Sequence, residues 1–271
     1  LDIIQGISQQ IAMAFQNDLL QKEMVTREGL QREIQLARQI QRTFLPDKFP
    51  AMDGWDLDVR WQTARQVGGD FYDVFQIDDE RIGLVIADVS DKGIPAALYM
   101  TVARTLIRAQ MQSSLSPGQV LKKVNQYLLS ETPDGLFVTA IYCTLDIKSG
   151  ELLYANAGHN LPYVFHSREN KLEILPKGGI ALGVISEPDY PDRKYHCKMG
   201  DFFFLYTDGL TETFSPSGEE FGIERLVQIL QTNLNQTPSG LLSKIEENLV
   251  SFRGEITPED DVTLMMIQRK A

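Results

Sequence analysis

RIGLVIADVSDKG, residues 81–93, carries the decisive pattern: an apolar, strand-like run that stops on an acid, Asp88. The same punctuation recurs three times. Asp70 stands in GGDFYD (68–73), Asp208 closes the apolar run of DFFFLYTDGL (201–210), and Asp260 opens the one in EDDVTLMMIQ (259–268). A carboxylate at a strand end faces the rim of a sheet, where a cleft can form. Acids that repeatedly bound hydrophobic strands are read as converging on something positive. Magnesium and manganese fit best, because these hard ions are held by carboxylates, carbonyls and water.

Outward from this stretch the chain reads as strands in groups, with helices between the groups. WDLDVRW (55–61) alternates, and FYDVFQI and RIGLVIAD are separated by an Asp78-Asp79 turn. Residues 94–113 return to helical character with a small-residue face of Ala96, Ala97, Met100 and Ala103. Ser116-Pro117 supplies an N-cap and first-turn proline for a helix to about 130. Strands resume in LFVTAIYCTLDI, ELLYANA, LPYVFHS and DFFFLYT; helices follow at about 222–234 and 238–252, and VTLMMIQ closes as a strand. This order predicts an α+β fold of mostly antiparallel sheets covered by helices.

Residues 1–45 predict one long helix, with no proline before Pro46. Ile4, Ile7, Ile11 and Ala14 alternate spacings of three and four, and Leu30, Ile34, Ala37, Ile40 and Phe44 form a second stripe. Such a rod cannot bury its stripe against itself. The reading is a dimeric coiled-coil linker over 1–45, followed by a single domain over 46–271.

Bulk properties narrow the function. The 271 residues carry a net charge of -11, which argues against a nucleic-acid surface and against adhesion to anionic membranes. No apolar run reaches the roughly 20 residues of a membrane span, and the cytoplasm is the default location. Cys143 and Cys197 have no CxxC partner and the three histidines lack zinc-ligand spacing, so a zinc site is not expected.

In order, GGDFYD, IADVSDKG, NAGHN, LYTDGLTE and DDVTLMMI resemble the bacterial branch of the metal-dependent protein phosphatases (PPM, or type 2C), the SpoIIE/RsbU-like serine phosphatases. The likeness runs from about Asp53 to the C-terminus, and LDIIQGISQQIAMAFQNDLL is similar to the closing helix of a GAF-type sensor domain. The resemblance implies two antiparallel sheets packed face to face with helices outside each, and two manganese or magnesium ions. It implies that Asp88 bridges the ions with the Val89 carbonyl beside it, that Asp208 and Asp260 hold the second ion, and that Asp70 serves the first side. Asp261 falls at a neighbouring position, and Asp73 and Asp91 read as supporting or helix-capping residues.

Two departures stand out. Many members read DVSGHG where this chain has DVSDKG, which puts Lys92 in the place of a histidine. Lys92 is then either a general acid or a solvated loop residue. Arg65, five residues before Asp70, is a candidate phosphate ligand or a surface arginine. His159 in NAGHN reads as part of a hydrogen-bonded turn. The implied activity is hydrolysis of phosphoserine or phosphothreonine on a STAS-type partner-switching protein. A catalytically degenerate dimeric scaffold and a small-metabolite phosphatase are the alternatives.

Overall fold

The computed structural model describes residues 2–110, 115–131, 135–233 and 236–270. The chain divides into two units, Leu1–Thr43 and Phe44–Ala271. The first is helix α1 (Asp2–Phe44), 43 residues without a break. Its apolar side chains from Met13 to Ile40, Leu30 among them, are largely exposed, and the i,i+4 ion pairs Asp18–Lys22 and Glu28–Arg32 run along its surface.

The second unit is built on two five-stranded antiparallel sheets. One runs β1 (Trp55–Gln62), β10 (Val262–Arg269), β9 (Phe202–Tyr206), β6 (Tyr163–His166), β7 (Lys171–Ile174). The other runs β2 (Phe71–Gln76), β3 (Arg81–Val89), β4 (Val138–Asp146), β5 (Glu151–Ala157), β8 (Arg193–His196). Side chains alternate faces along a strand, so each strand serves two cores. Ile82, Leu84 and Ile86 of β3 meet Phe203 and Leu205 of β9 and Met265 and Ile267 of β10 between the sheets. Val85, Ala87 and Val89 point the other way, onto α2 (Ile94–Ala109) and α3 (Pro117–Glu131). On the far side, Phe202, Phe204 and Tyr206 pack on α4 (Gly222–Thr232) and α5 (Pro238–Arg253). The result is four layers, helix–sheet–sheet–helix, as the family resemblance implies.

The local signals act as expected. Thr237 Oγ1 accepts the Gly240 N–H to cap α5, and Asp78 Oδ1 accepts the Glu80 and Arg81 amides to close the β2–β3 turn. Helix α2 ends at Ala109 rather than near 113, and residues 111–113 of that expectation lie outside the described ones. Strands β7 and β8 were not expected: each has four residues, exposed and polar on alternate positions, and carries no apolar run to announce it. Both cysteines are buried and free. Among the described residues no helix is long and apolar enough to cross a membrane.

Candidate active site

The acids collect at the seam between the sheets, with two from each. Asp70 and Asp88 belong to the β2–β3 sheet. Asp208, in a single 3-10 turn after β9, and Asp260, before β10, belong to the other. Asp70 is fully buried and its Oδ2 accepts hydrogen bonds from Thr207 Oγ1 (2.7 Å) and Thr263 Oγ1 (2.6 Å), so one sheet's acid is held by the other sheet's hydroxyls. The Asp70 and Asp88 carboxyls lie close enough for each to act on the other's ionisation. Two neighbouring buried carboxyl groups are relieved by a proton or a cation between them.

The electrostatics agree. Burial and then the Asp208 charge push Asp88 up to about 7. Burial, with the charges of Asp88 and Asp261, lifts Asp70 well above the carboxylate range, against the pull of the two threonine hydroxyls. Asp208 is raised by burial and by Asp260. Acids that raise one another are a site short of positive charge, and their oxygen-only donor set suits a hard divalent ion. Among the described residues, no three His, Cys, Asp or Glu side chains gather closely enough to form a ready-made ligand cage. The acids stand as an electrostatically coupled pair, Asp70–Asp88, with Asp208 and Asp260 acting on Asp88 through their charges.

The adjacent acids Asp260 and Asp261 do different work. Asp261 is buried and fully engaged: Oδ1 accepts the Ala64 amide (2.8 Å), and Oδ2 accepts those of Gly69 (2.8 Å) and Asp70 (3.4 Å). It fixes the loop that carries Asp70. Asp260 faces outward and pairs with Lys92 at 2.8 Å, while Lys92 Nζ also donates to the Glu259 carbonyl. Partial burial disfavours the Lys92 ammonium, but Asp260 outweighs it and the pKa is raised. A general acid at neutral pH needs the opposite shift. Arg65 is exposed, with Nη1 3.7 Å from where a Gly93 Cβ would sit, close to the Lys92 loop.

The glycines give room rather than a turn. Neither Gly69 nor Gly209 has positive φ. A Cβ on Gly69 would stand 2.9 Å from the Val89 carbonyl oxygen, and one on Gly209 would collide with the Asp261 carbonyl. The positive φ falls instead on Asp91 (φ 115), whose Oδ1 accepts the Lys92 amide; Asp91 is not the cap of α2, whose N-cap is Gly93 with no side-chain cap bond. Asp73 is buried and pairs with Arg104 of α2 at 2.9 Å. His159 sits in the turn that the sequence reading describes: Asn156 bonds both its amide and its carbonyl, and its Nδ1 meets Thr139 Oγ1 at 2.8 Å. Thr207, Thr263 and Thr139 were not picked out from sequence. The signal available was a threonine beside an acid in YTDG and DDVT.

Two packed antiparallel sheets between helix pairs, with acids along the seam, are the architecture of a PPM (PP2C-type) phosphatase domain. The SiaA-PP2C domain of Pseudomonas aeruginosa superposes with a TM-score of 0.79 at 22% identity, covering 90% of this chain and 98% of that one. The chain belongs to the SpoIIE family: the family model for Stage II sporulation protein E (SpoIIE) matches residues 78–270. The RsbU and RsbW domains of Rv1364c from Mycobacterium tuberculosis match with a TM-score of 0.73 at 27% identity, covering 84% of this chain and 63% of that one. Protein IcfG of Synechocystis is 31% identical over 271 residues, 90% of this chain, and the chain spans 42% of it. Phosphoserine phosphatase RsbU of Bacillus subtilis is 29% identical over 255 residues, covering 92% of this chain and 75% of RsbU.

Proposed function

We propose that this chain is a metal-dependent protein serine/threonine phosphatase acting on a phosphoserine or phosphothreonine of a bacterial signalling protein, a STAS-type anti-sigma-factor antagonist. The observation that carries the reading is the buried Asp70–Asp88 pair at the seam, with the charges of Asp208 and Asp260 bearing on Asp88. The names of two relatives, the phosphoserine phosphatases RsbU and RsbP of Bacillus subtilis, support the choice of substrate bond. Asp70, Asp88, the Val89 carbonyl, Asp208 and Asp260 are the groups to hold two manganese or magnesium ions. The chemistry such ions supply is an activated water and neutralisation of charge on the phosphoryl oxygens.

The chain's own residues supply the rest. Asp261 and the two threonines fix where Asp70 stands, so its carboxylate needs no rearrangement during turnover. Lys92, held charged by Asp260, acts as a fixed positive charge at the mouth rather than as the proton donor. Arg65, beside the Lys92 loop, is a further cation for the phosphate. Control comes through α1, as a dimeric helix delivering a signal from upstream, and the site of action is the cytoplasm.

The test is turnover of a phosphoserine protein and of an aryl phosphate with manganese. Asp88→Asn and Asp208→Asn each lower both rates by orders of magnitude with folding intact, and excess EDTA abolishes them. Lys92→Ala lowers both rates alike, whereas a selective loss on the serine substrate, the poorer leaving group, makes Lys92 the general acid after all. Full turnover in EDTA refutes the metal mechanism.

A further inference from the structure

A recess of about 380 Å³ opens at the end of β9, lined by His159, Tyr163, Ile174, Lys177, Tyr206 and Ile223 among others. Its floor is buried: His159, Tyr163 and Tyr206, with the two tyrosine rings 6.0 Å apart. Its walls are Ile174, at the end of β7, and Ile223, in the first turn of α4; they are 51% and 52% exposed. Lys177 is exposed, and its ammonium has no ion pair or hydrogen bond among the described residues.

Two links join the recess to the acids. Tyr206 precedes Asp208 by two residues, about 7 Å along an extended chain, and the Asp208 charge reaches the Tyr206 hydroxyl. Thr139, which holds His159, is the cross-strand partner of Asp88. The recess therefore neighbours Asp208 along the chain and Asp88 across one strand pair.

The lining specifies the occupant. Exposed branched side chains around a concavity call for an apolar group. A free ammonium in a chain of net charge -11 calls for an anion. Strand β7 is the outer strand of its sheet, so its free edge can receive an extended segment.

Resting on the phosphatase reading, we infer that this recess reads the substrate: it takes an apolar side chain a few residues from the phosphoserine, with a neighbouring carboxylate on Lys177. The probe is a set of phosphoserine nonapeptides in which each flanking position is Leu, Asp, Lys or Ala, with p-nitrophenyl phosphate as a substrate too small to reach the recess. Wild type favours peptides that pair Leu with Asp. Lys177→Glu and Ile223→Asp each lower kcat/KM on those peptides about tenfold, mainly through KM, and leave the aryl phosphate unchanged. Exchanging the peptide's Asp for Lys restores turnover by Lys177→Glu but not by Ile223→Asp. A wild type indifferent to the flanking residues, or equal losses on peptide and aryl phosphate, overturns the inference. Failure of the parent reading looks different: wild type then turns over no phosphoserine peptide at all, and both fall together.

Discussion

Asp261 shows how much one carboxylate can hold. Three backbone amides donate to it, two of them to Oδ2. Asp261→Asn, in either amide orientation, points an NH2 group at an N–H donor, and the buried amides there lose their acceptor. The expected cost is about 2–3 kcal/mol, read by urea denaturation, with a fall in activity because the Asp70 loop is freed. His159 offers a pH test. Burial lowers it from an ordinary value near 6.5 to about 4. Between those values the unfolded chain holds more protons, so the stability due to neutral His159 is complete above about pH 6.5 and is lost as pH falls through 4. Relative to His159→Gln, wild type should lose about 3 kcal/mol between pH 7 and pH 4, measured as the difference between two denaturation series. The four acids were legible because each bounds an apolar run. Their threonine partners were not, because Thr207 and Thr263 meet Asp70 only once the β9–β10 register is set.

Among the elements, α2 is tied to β2 by an ion pair rather than by apolar contact alone. Asp73 and Arg104 are 2% and 8% exposed, and Arg108 approaches the same carboxylate at 3.7 Å. Burial still raises the Asp73 pKa in spite of both arginines. Breaking one side of such a pair strands the other charge. Arg104→Met should cost about 3–5 kcal/mol, and Asp73→Leu with Arg104→Met should recover most of it. Recovery of stability without recovery of turnover would show that the pair sets the position of α2 as well as holding it. Sequence could place Asp73 one side-chain alternation from the core, but not find its partner 31 residues on. That partner depends on how α2 crosses the sheet. Strands β7 and β8 escaped for a different reason: as edge strands they keep polar, exposed residues, and the period-2 signal rests on an apolar face.

For the whole molecule, the order of strands and helices was enough to give antiparallel sheets covered by helices, whereas their packing face to face in four layers came from the family resemblance. Sequence did not reveal that the acids are split evenly between sheets. Control through α1 is the proposal that belongs at this scale. A chain beginning near Asp53 should be monomeric by analytical ultracentrifugation where the full chain is dimeric, and should differ from it severalfold in kcat. Ile34→Glu or Ile40→Glu should reproduce the truncation's effect without altering metal affinity. Identical kinetics, or a monomeric full chain, would remove the control model.

The hydroxyls of Thr207 and Thr263 reach across from one sheet to the acid of the other, and this makes the site a joint. Neither sheet owns a working half. A chain with a single sheet formed presents its acids with nothing to orient them, so competence appears only when the two halves of the sandwich close. The same contacts run in reverse. Whatever binds between these acids also draws the sheets together, so a ligand at the seam acts as a rivet through the fold, and its supply in the cell becomes part of how firmly the protein stays assembled.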